Sequence, residues 1–376
     1  MLALQRHAGN QAVLRRFGPP AGRRLQRALT GLKEVKPSSA YAGEALAYWR
    51  DPAKQAQGIR EYVEHLAKRA NAALKVIGCP EMNLVFDSAS PFRGAFDAGN
   101  WNLIVNTKLW SARAGVSKLS DLTVEEAAAG AGTIYHEARH AEQNFRIARM
   151  DAGQSKHKLP ADIEAEIKRV RAYPKPAAQA AAGDPLAATP ANAALLGEAR
   201  EWETMSHGRH ARYRSIVNRW LLEARAAKQP FESMHPMHLD RTTPKLAVFL
   251  DAWEKHPDRS KFIAAHAKTV AALPKQTPGD KLVLAQLGAI QTALTNVFAA
   301  WKAIKAGAGE GPHAQLKRFN AFQVLVEKLR AALDVAHHAQ PHEKDAHEAG
   351  DAVEAEFLMG ARPKPARTRT PVRAGP

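Results

Sequence analysis

Two histidines, His136 and His140, stand four residues apart in a stretch whose apolar residues recur with helical period. That stretch, "SDLTVEEAAAGAGTIYHEARHAEQNFRIARM", constrains the chain more than any other. Ser120 or Thr123 can cap it, and Glu125 and Glu126 suit a first helical turn. Ile134, Ala138, Ala141 and Phe145 fall on one stripe, which must be covered by a core. The two imidazoles lie roughly opposite, beside Ala129, Thr133 and Ile147. The spacing predicts a long helix packed on one face and presenting histidines on the other. Gly130 and Gly132 cost helix stability there, and close approach by a strand or a substrate would justify them.

The pattern His136-Glu137-x-x-His140 carries specific chemistry. On a helix, residues i and i+4 share a side, so both imidazoles can reach one metal ion. Glu137 points about 100° away, where it can meet a water without binding the metal. Zn2+ takes imidazole and carboxylate ligands, and a catalytic site leaves one position for water. Glu137 would act as general base, taking the water's proton and passing it to a leaving amine. A third ligand is required. Glu343 extends the stripe Ala346, Gly350, Val353 and Phe357 of a C-terminal helix, and a carboxylate in line with a buried face needs a partner. Glu198, four residues before Trp202, is the alternative third ligand. The pairs His207/His210, His235/His238 and His337/His338 lack a metal-ligand spacing with a third partner. One of them, or Tyr135 or Tyr213, could bond a tetrahedral oxyanion.

Around this helix the chain reads as mainly α, with a short β element. Helices are expected from Ser39, interrupted near Pro52, and again over 160–173, 195–227, 244–255, 259–272, 279–305, 313–339 and 341–359. Residues 83–89 and 99–110 have strand character, and 174–193 read as a loop. The resulting division is a basic N-terminal tail over 1–37, one domain over 38–360 with a helical insertion at about 156–340, and a basic, disordered tail over 361–376.

Charge and composition limit the partners. The net charge is +17, but residues 1–36 carry +7 and residues 361–376 carry +5. With 12 of 17 charges on the tails, the 324 residues between them hold only +5. A specific nucleic-acid surface is therefore not expected, although a binding protein that uses its basic tails is a weaker rival reading. No run of about 18 apolar residues suggests a membrane span. The basic N-terminus is followed by no apolar stretch, so no secretory signal is expected. Cys79 is the only cysteine, which excludes an intramolecular disulfide and argues against a cysteine-based zinc site.

Two resemblances rest on these residues. "YHEARHAEQ", with "GNWNLIVN" upstream, resembles the strand-plus-helix unit of zincin metallopeptidases, and "PHEKDAHEAGDAVE" resembles the glutamate-bearing helix of gluzincins. The pair of segments is also similar to a bacterial group of H-E-x-x-H proteins found as toxin-like cargo. The resemblance implies His136, His140 and Glu343 as zinc ligands, Glu137 as base, and a protein or peptide substrate. Two features depart from the gluzincin pattern. The third ligand lies 203 residues beyond His140, and the Asp expected four residues after the glutamate is His347. The second resemblance is "LQRHAGNQAV", similar to the L-Q-R-x-x-G-N-x-A-V segment of proteins associated with bacterial extracellular contractile injection systems. It implies cargo that binds such a particle through its N-terminal segment, made in the bacterial cytoplasm and exported by a non-Sec route. A non-enzymatic, particle-associated structural or binding protein with a structural or vestigial metal site is the alternative.

Overall fold

The computed structural model describes residues 31–153, 173–218, 220–221, 257–306 and 311–362. The expected helices at 160–173 (save Tyr173) and 244–255, most of the N-terminal tail, and the C-terminal tail beyond 362 lie outside the described residues. Among the described residues the protein is mainly helical with one small sheet. The chain divides into two compact units. One comprises Met1–Ala148, Tyr173–Asp184 and Ala346–Pro376, and the other Arg149–Ala172 and Pro185–Asp345.

In the first unit, α1 (Val35–Arg50) ends at Asp51, whose carboxylate accepts from the Ala53 N–H as Pro52 opens a 3-10 turn. Helix α2 (Ile59–Val76) buries Ile59, Tyr62, Val63, Leu66, Ala67, Ala70 and Leu74, an amphipathic stripe. Three strands follow, β1 (Asn83–Phe86), β2 (Gly94–Asp97) and β3 (Asn102–Val105). Their order is β1-β3-β2, with β1 parallel and β2 antiparallel to β3. The strand expected over 99–110 is shorter because Gly99–Trp101 make the turn into it and Thr107–Leu109 form a 3-10 turn after it. Trp101 takes a left-handed φ of 60° in that turn, held by burial and by its indole N–H on the Pro80 carbonyl. Strand β2 was not expected, since "GAFD" shows no run of β-branched residues.

Helix α3 (Val124–Gly153) starts at a capping box. The Glu126 N–H donates to Thr123 Oγ1, and the Thr123 N–H donates to the Glu126 carboxylate. Ile134, Ala138, Ala141 and Phe145 are buried, but so is most of the rest of its surface, including Ile147, Arg139, Glu142 and Arg146. Glu142 accepts from Arg139, from Arg146 and from the backbone N–H of Leu32. Burial alone would raise its pKa, but the two guanidiniums and these bonds hold it below the usual carboxylate value. Tyr135 Oη donates to the Leu32 carbonyl at 2.7 Å. Residues 31–37, placed by sequence in the tail, therefore belong to the fold. Leu32 is 1% exposed, and Lys33 pairs with Glu348.

Within 174–193, expected as a loop, α4 (Lys175–Gly183) buries Ala177 and Ala181 in the first core. In the second unit, α5 (Ala193–Ser206) stops where one helix through 227 was expected. A Cβ at Gly208 would lie 2.8 Å from Thr204 Cα, so the chain folds back on the last turn of α5 before becoming helical again over 211–218. Helices α6 (Pro257–Ala271), α7 (Pro278–Ala306) and α8 (Pro312–His338) follow among the described residues of this unit. Val283, Leu287, Ile290, Leu294, Val297 and Trp301 of α7, and Phe319, Phe322, Val326, Leu329, Leu333 and Ala336 of α8, alternate at spacings of three and four. That is the seam of a coiled-coil hairpin, and it forms the second core. An 18-residue window within Pro278–Ile304 has mean hydropathy 1.4, so α7 is apolar and long enough to cross a membrane by length and composition alone. No such stretch was expected from sequence; 33% of that window is buried within the protein.

Asp280, fully buried, caps α7 and ties this unit together. It accepts from Thr277, from both nitrogens of the Arg209 fork, and from His210 Nε2 at 2.8 Å. His210 Nδ1 lies 3.4 Å from His266 Nε2. Burial lowers the pKa of His210, against the pull of Asp280. Burial, with His210 and Arg212 nearby, brings His266 down to about 4.

Two outcomes follow. Both histidines bind protons less readily folded than unfolded, so stability is retained above the ordinary value of 6.5 and lost as pH falls towards 4. Thermal unfolding measured across that window should show the decline, and His266→Gln should flatten it. Deletion of residues 1–37 removes a buried leucine and a bond to a buried carboxylate, and should lower the unfolding free energy by about 2 kcal/mol or more.

Candidate metal centre

The site begins with two glycines. An added Cβ at Gly132 of α3 would lie 2.9 Å from the Gly350 carbonyl oxygen, and one at Gly350 would lie 2.8 Å from that of Gly132. Gly350 belongs to α9 (Pro341–Ala361), which buries Ala346, Ala349, Val353 and Phe357. The backbones of α3 and α9 thus touch at this crossing. A Cβ on Gly350 would also lie 3.1 Å from His136 Cβ, so the crossing sits one turn from the motif. Gly130 serves a different contact, the face of the Trp110 ring.

His136 Nε2 and His140 Nε2 are 3.1 Å apart. Two nitrogens bound tetrahedrally to zinc at about 2.0–2.1 Å stand about 3.3 Å apart, so the pair is spaced as two ligands of one ion. The His140 Nδ1 lies 2.9 Å from Oε1 of the buried Gln143. With Nδ1–H donating there, the Nε2 lone pair is directed at the metal position. The ligand atoms of His136, Glu137 and His140 all lie within 4.8 Å of one another.

Glu137 is buried, and its two oxygens face different groups. Oε1 is 3.9 Å from His136 Nε2, and Oε2 accepts from the Phe96 backbone N–H at 2.8 Å. The register explains that donor. The Asn106 N–H donates to the Arg93 carbonyl, which directs Ala95 and Asp97 towards β3 and turns the N–H and C=O of Gly94 and Phe96 to the open edge of the sheet. Strand β2 passes close over α3 here, since a Cβ at Gly94 would meet Thr133 Cγ2 at 2.7 Å and Glu137 Cγ at 3.3 Å.

Helix α9 brings two further candidate donors to His136, in a second group that shares His136 but not His140. His347 packs against His136, with ring centroids 4.4 Å apart. Glu343 lies one turn earlier on the same helix, and the ligand atoms of His136, Glu343 and His347 lie within 4.8 Å of one another. Glu343 Oε1 is also 3.3 Å from His342 Nε2, and its Oε2 is 3.8 Å from His337 Nε2. His347 was not among the sequence candidates, although its i+4 spacing from Glu343 was available as a signal. Glu198 is exposed on α5, off the buried line of Leu196, Ala199, Trp202 and Met205, and joins neither group. Neither tyrosine weighed as an oxyanion donor faces the histidines. Tyr135 is bonded to Leu32, and Tyr213 donates to Gln286 in the second unit.

Comparison with family models, with curated proteins and with solved structures finds no match.

The crossing gives a direct expectation. A methyl group at Gly132 or Gly350 meets backbone, which cannot swing aside as a side chain can. Gly132→Ala and Gly350→Ala should each destabilise by about 1–3 kcal/mol despite the better helix propensity of alanine. Chemical denaturation would show it, and an unchanged or raised midpoint would mean the helices are not in contact there.

Proposed function

We propose that this protein is a zinc-dependent peptidase with a zincin-like catalytic unit, acting as a toxin or effector delivered by a contractile injection particle. The observation that carries the catalytic part is the position of Glu137, held between the paired histidines and the outward N–H of an edge strand. A water-activating carboxylate needs one oxygen fixed and the other free to meet the water, and the two contacts of Glu137 support that reading. His136, His140 and Glu343 would hold the metal. Zinc, when bound, supplies Lewis-acid polarisation of the scissile carbonyl and lowers the pKa of water towards neutral.

The chain's own groups do the rest. Glu137 Oε1 takes a proton from the attacking water and delivers it to the leaving nitrogen. The Phe96 N–H keeps the carboxylate from swinging into a ligand position. The open edge of β2 offers the N–H and C=O of Gly94 and the C=O of Phe96 to an extended peptide, whose main chain would align by strand addition. Such pairing reads backbone and so suits a protein substrate. The delivery part of the reading rests on the "LQRHAGNQAV" segment, which lies outside the described residues.

Elemental analysis of the purified full chain should find about one zinc per molecule. His136→Ala and His140→Ala should each lose it. Glu137→Gln should retain zinc while hydrolysis of a peptide library falls by about a hundredfold or more. A protein with no zinc, and none taken up on addition, would overturn the assignment.

A further inference from the structure

We propose that His347 is a fourth protein ligand to the same metal, so that the resting centre is closed to water. This rests on the reading of the site as a metal centre and concerns how that centre is regulated.

The geometry for it is within α3 and α9. His136 and His140, spaced as co-ligands, have ring centroids 4.7 Å apart with planes at 85°. His136 and His347 have centroids 4.4 Å apart with planes at 58°. The second pair is as close as the first, and neither is a parallel stack. The contact is not a chance meeting of long side chains. The Gly132–Gly350 crossing fixes the helix backbones three residues from His347 and four from His136. His347 is half-buried, as are His136 and His140. With Glu343 one turn before it, α9 presents two donors at the i, i+4 spacing that α3 uses for its histidines.

Four protein donors have a consequence that three do not. Zinc with four protein ligands has the closed shell of a structural site, whereas a catalytic ion keeps one position for water. His140 and Glu343 are anchored by neighbours, at Gln143 for the former and at His342 and His337 for the latter. Entry of water or substrate at such a centre would require one of the four ligands to yield. The other role open to a side chain beside His136 is to orient its ring without reaching the metal.

Cobalt(II) in place of zinc reports its own coordination by visible absorption, without relying on turnover. The full-length protein, His347→Ala and His347→Cys would be loaded with cobalt and titrated with azide. The parent should give an intense four-coordinate spectrum that azide leaves unchanged. His347→Ala should bind cobalt at least about 10–100-fold more weakly, since loss of an outer-shell partner alone costs that much, and its spectrum should shift on adding azide. His347→Cys should add a near-ultraviolet thiolate-to-cobalt charge-transfer band, which only a residue touching the metal can produce. Circular dichroism of each variant checks folding, and the cysteine variant keeps the test decisive if the alanine variant unfolds. A parent that binds cobalt but responds to azide, together with a cysteine variant lacking the band, overturns the role of His347 and leaves the metal centre standing. A parent that binds no cobalt overturns both.

Discussion

The arrangement of the candidate centre depends on two helices touching without side chains between them. Ordinary helix pairs are kept 8–10 Å apart by the residues at their contact. At Gly132 and Gly350 nothing larger than hydrogen intervenes, and each glycine lies against the other's carbonyl. That approach brings His347 of α9 against His136 of α3. The helical cost of glycine, about 1 kcal/mol at each position, is thus offset by proximity that no other residue allows.

The rest of α3 is held with the same stringency. One side meets β2, where Gly94 lets the strand lie on Thr133 and Glu137. Another carries Arg139, Glu142 and Arg146 into the interior, with Glu142 bonded to both guanidiniums and to Leu32. A buried carboxylate is costly unless its bonds are complete, so this cluster fixes the entry of the chain into the fold as firmly as an apolar contact would. A helix covered on nearly all sides has little freedom to rotate, which suits one that must hold two imidazoles 3.1 Å apart.

Much of this was legible in the sequence, and the limits are physical. The helical stripes of α3, α7, α8 and α9 were plain because burial on one face leaves a periodic trace. The H-E-x-x-H motif was plain because ligand spacing on a helix is fixed. What the sequence hid depends on contacts distant along the chain. Strand β2 is four residues without β propensity, ordered by pairing with β3 and by its bond to Glu137. The break at Gly208 looked like continuous helix because the residues on both sides keep the apolar period. The burial of Arg139, Glu142 and Arg146 leaves no mark in the sequence, because charged residues are usually solvated. Glu343 was reachable from its place on a stripe, whereas His347 gains meaning only once α9 is known to cross α3 at Gly350.

Helix α9 belongs to the core of the first unit although it follows α3 by some two hundred residues, with the described helices of the second unit between them. During synthesis at about 5–20 residues per second, the segment from His140 to Glu343 takes on the order of 10–40 seconds to emerge. Over that interval Gly132 has no Gly350 to meet, and the histidines of α3 have no donors from α9. The second unit, built largely from a local helical hairpin, needs no such wait. The centre is therefore among the last parts of the nascent chain to be completed.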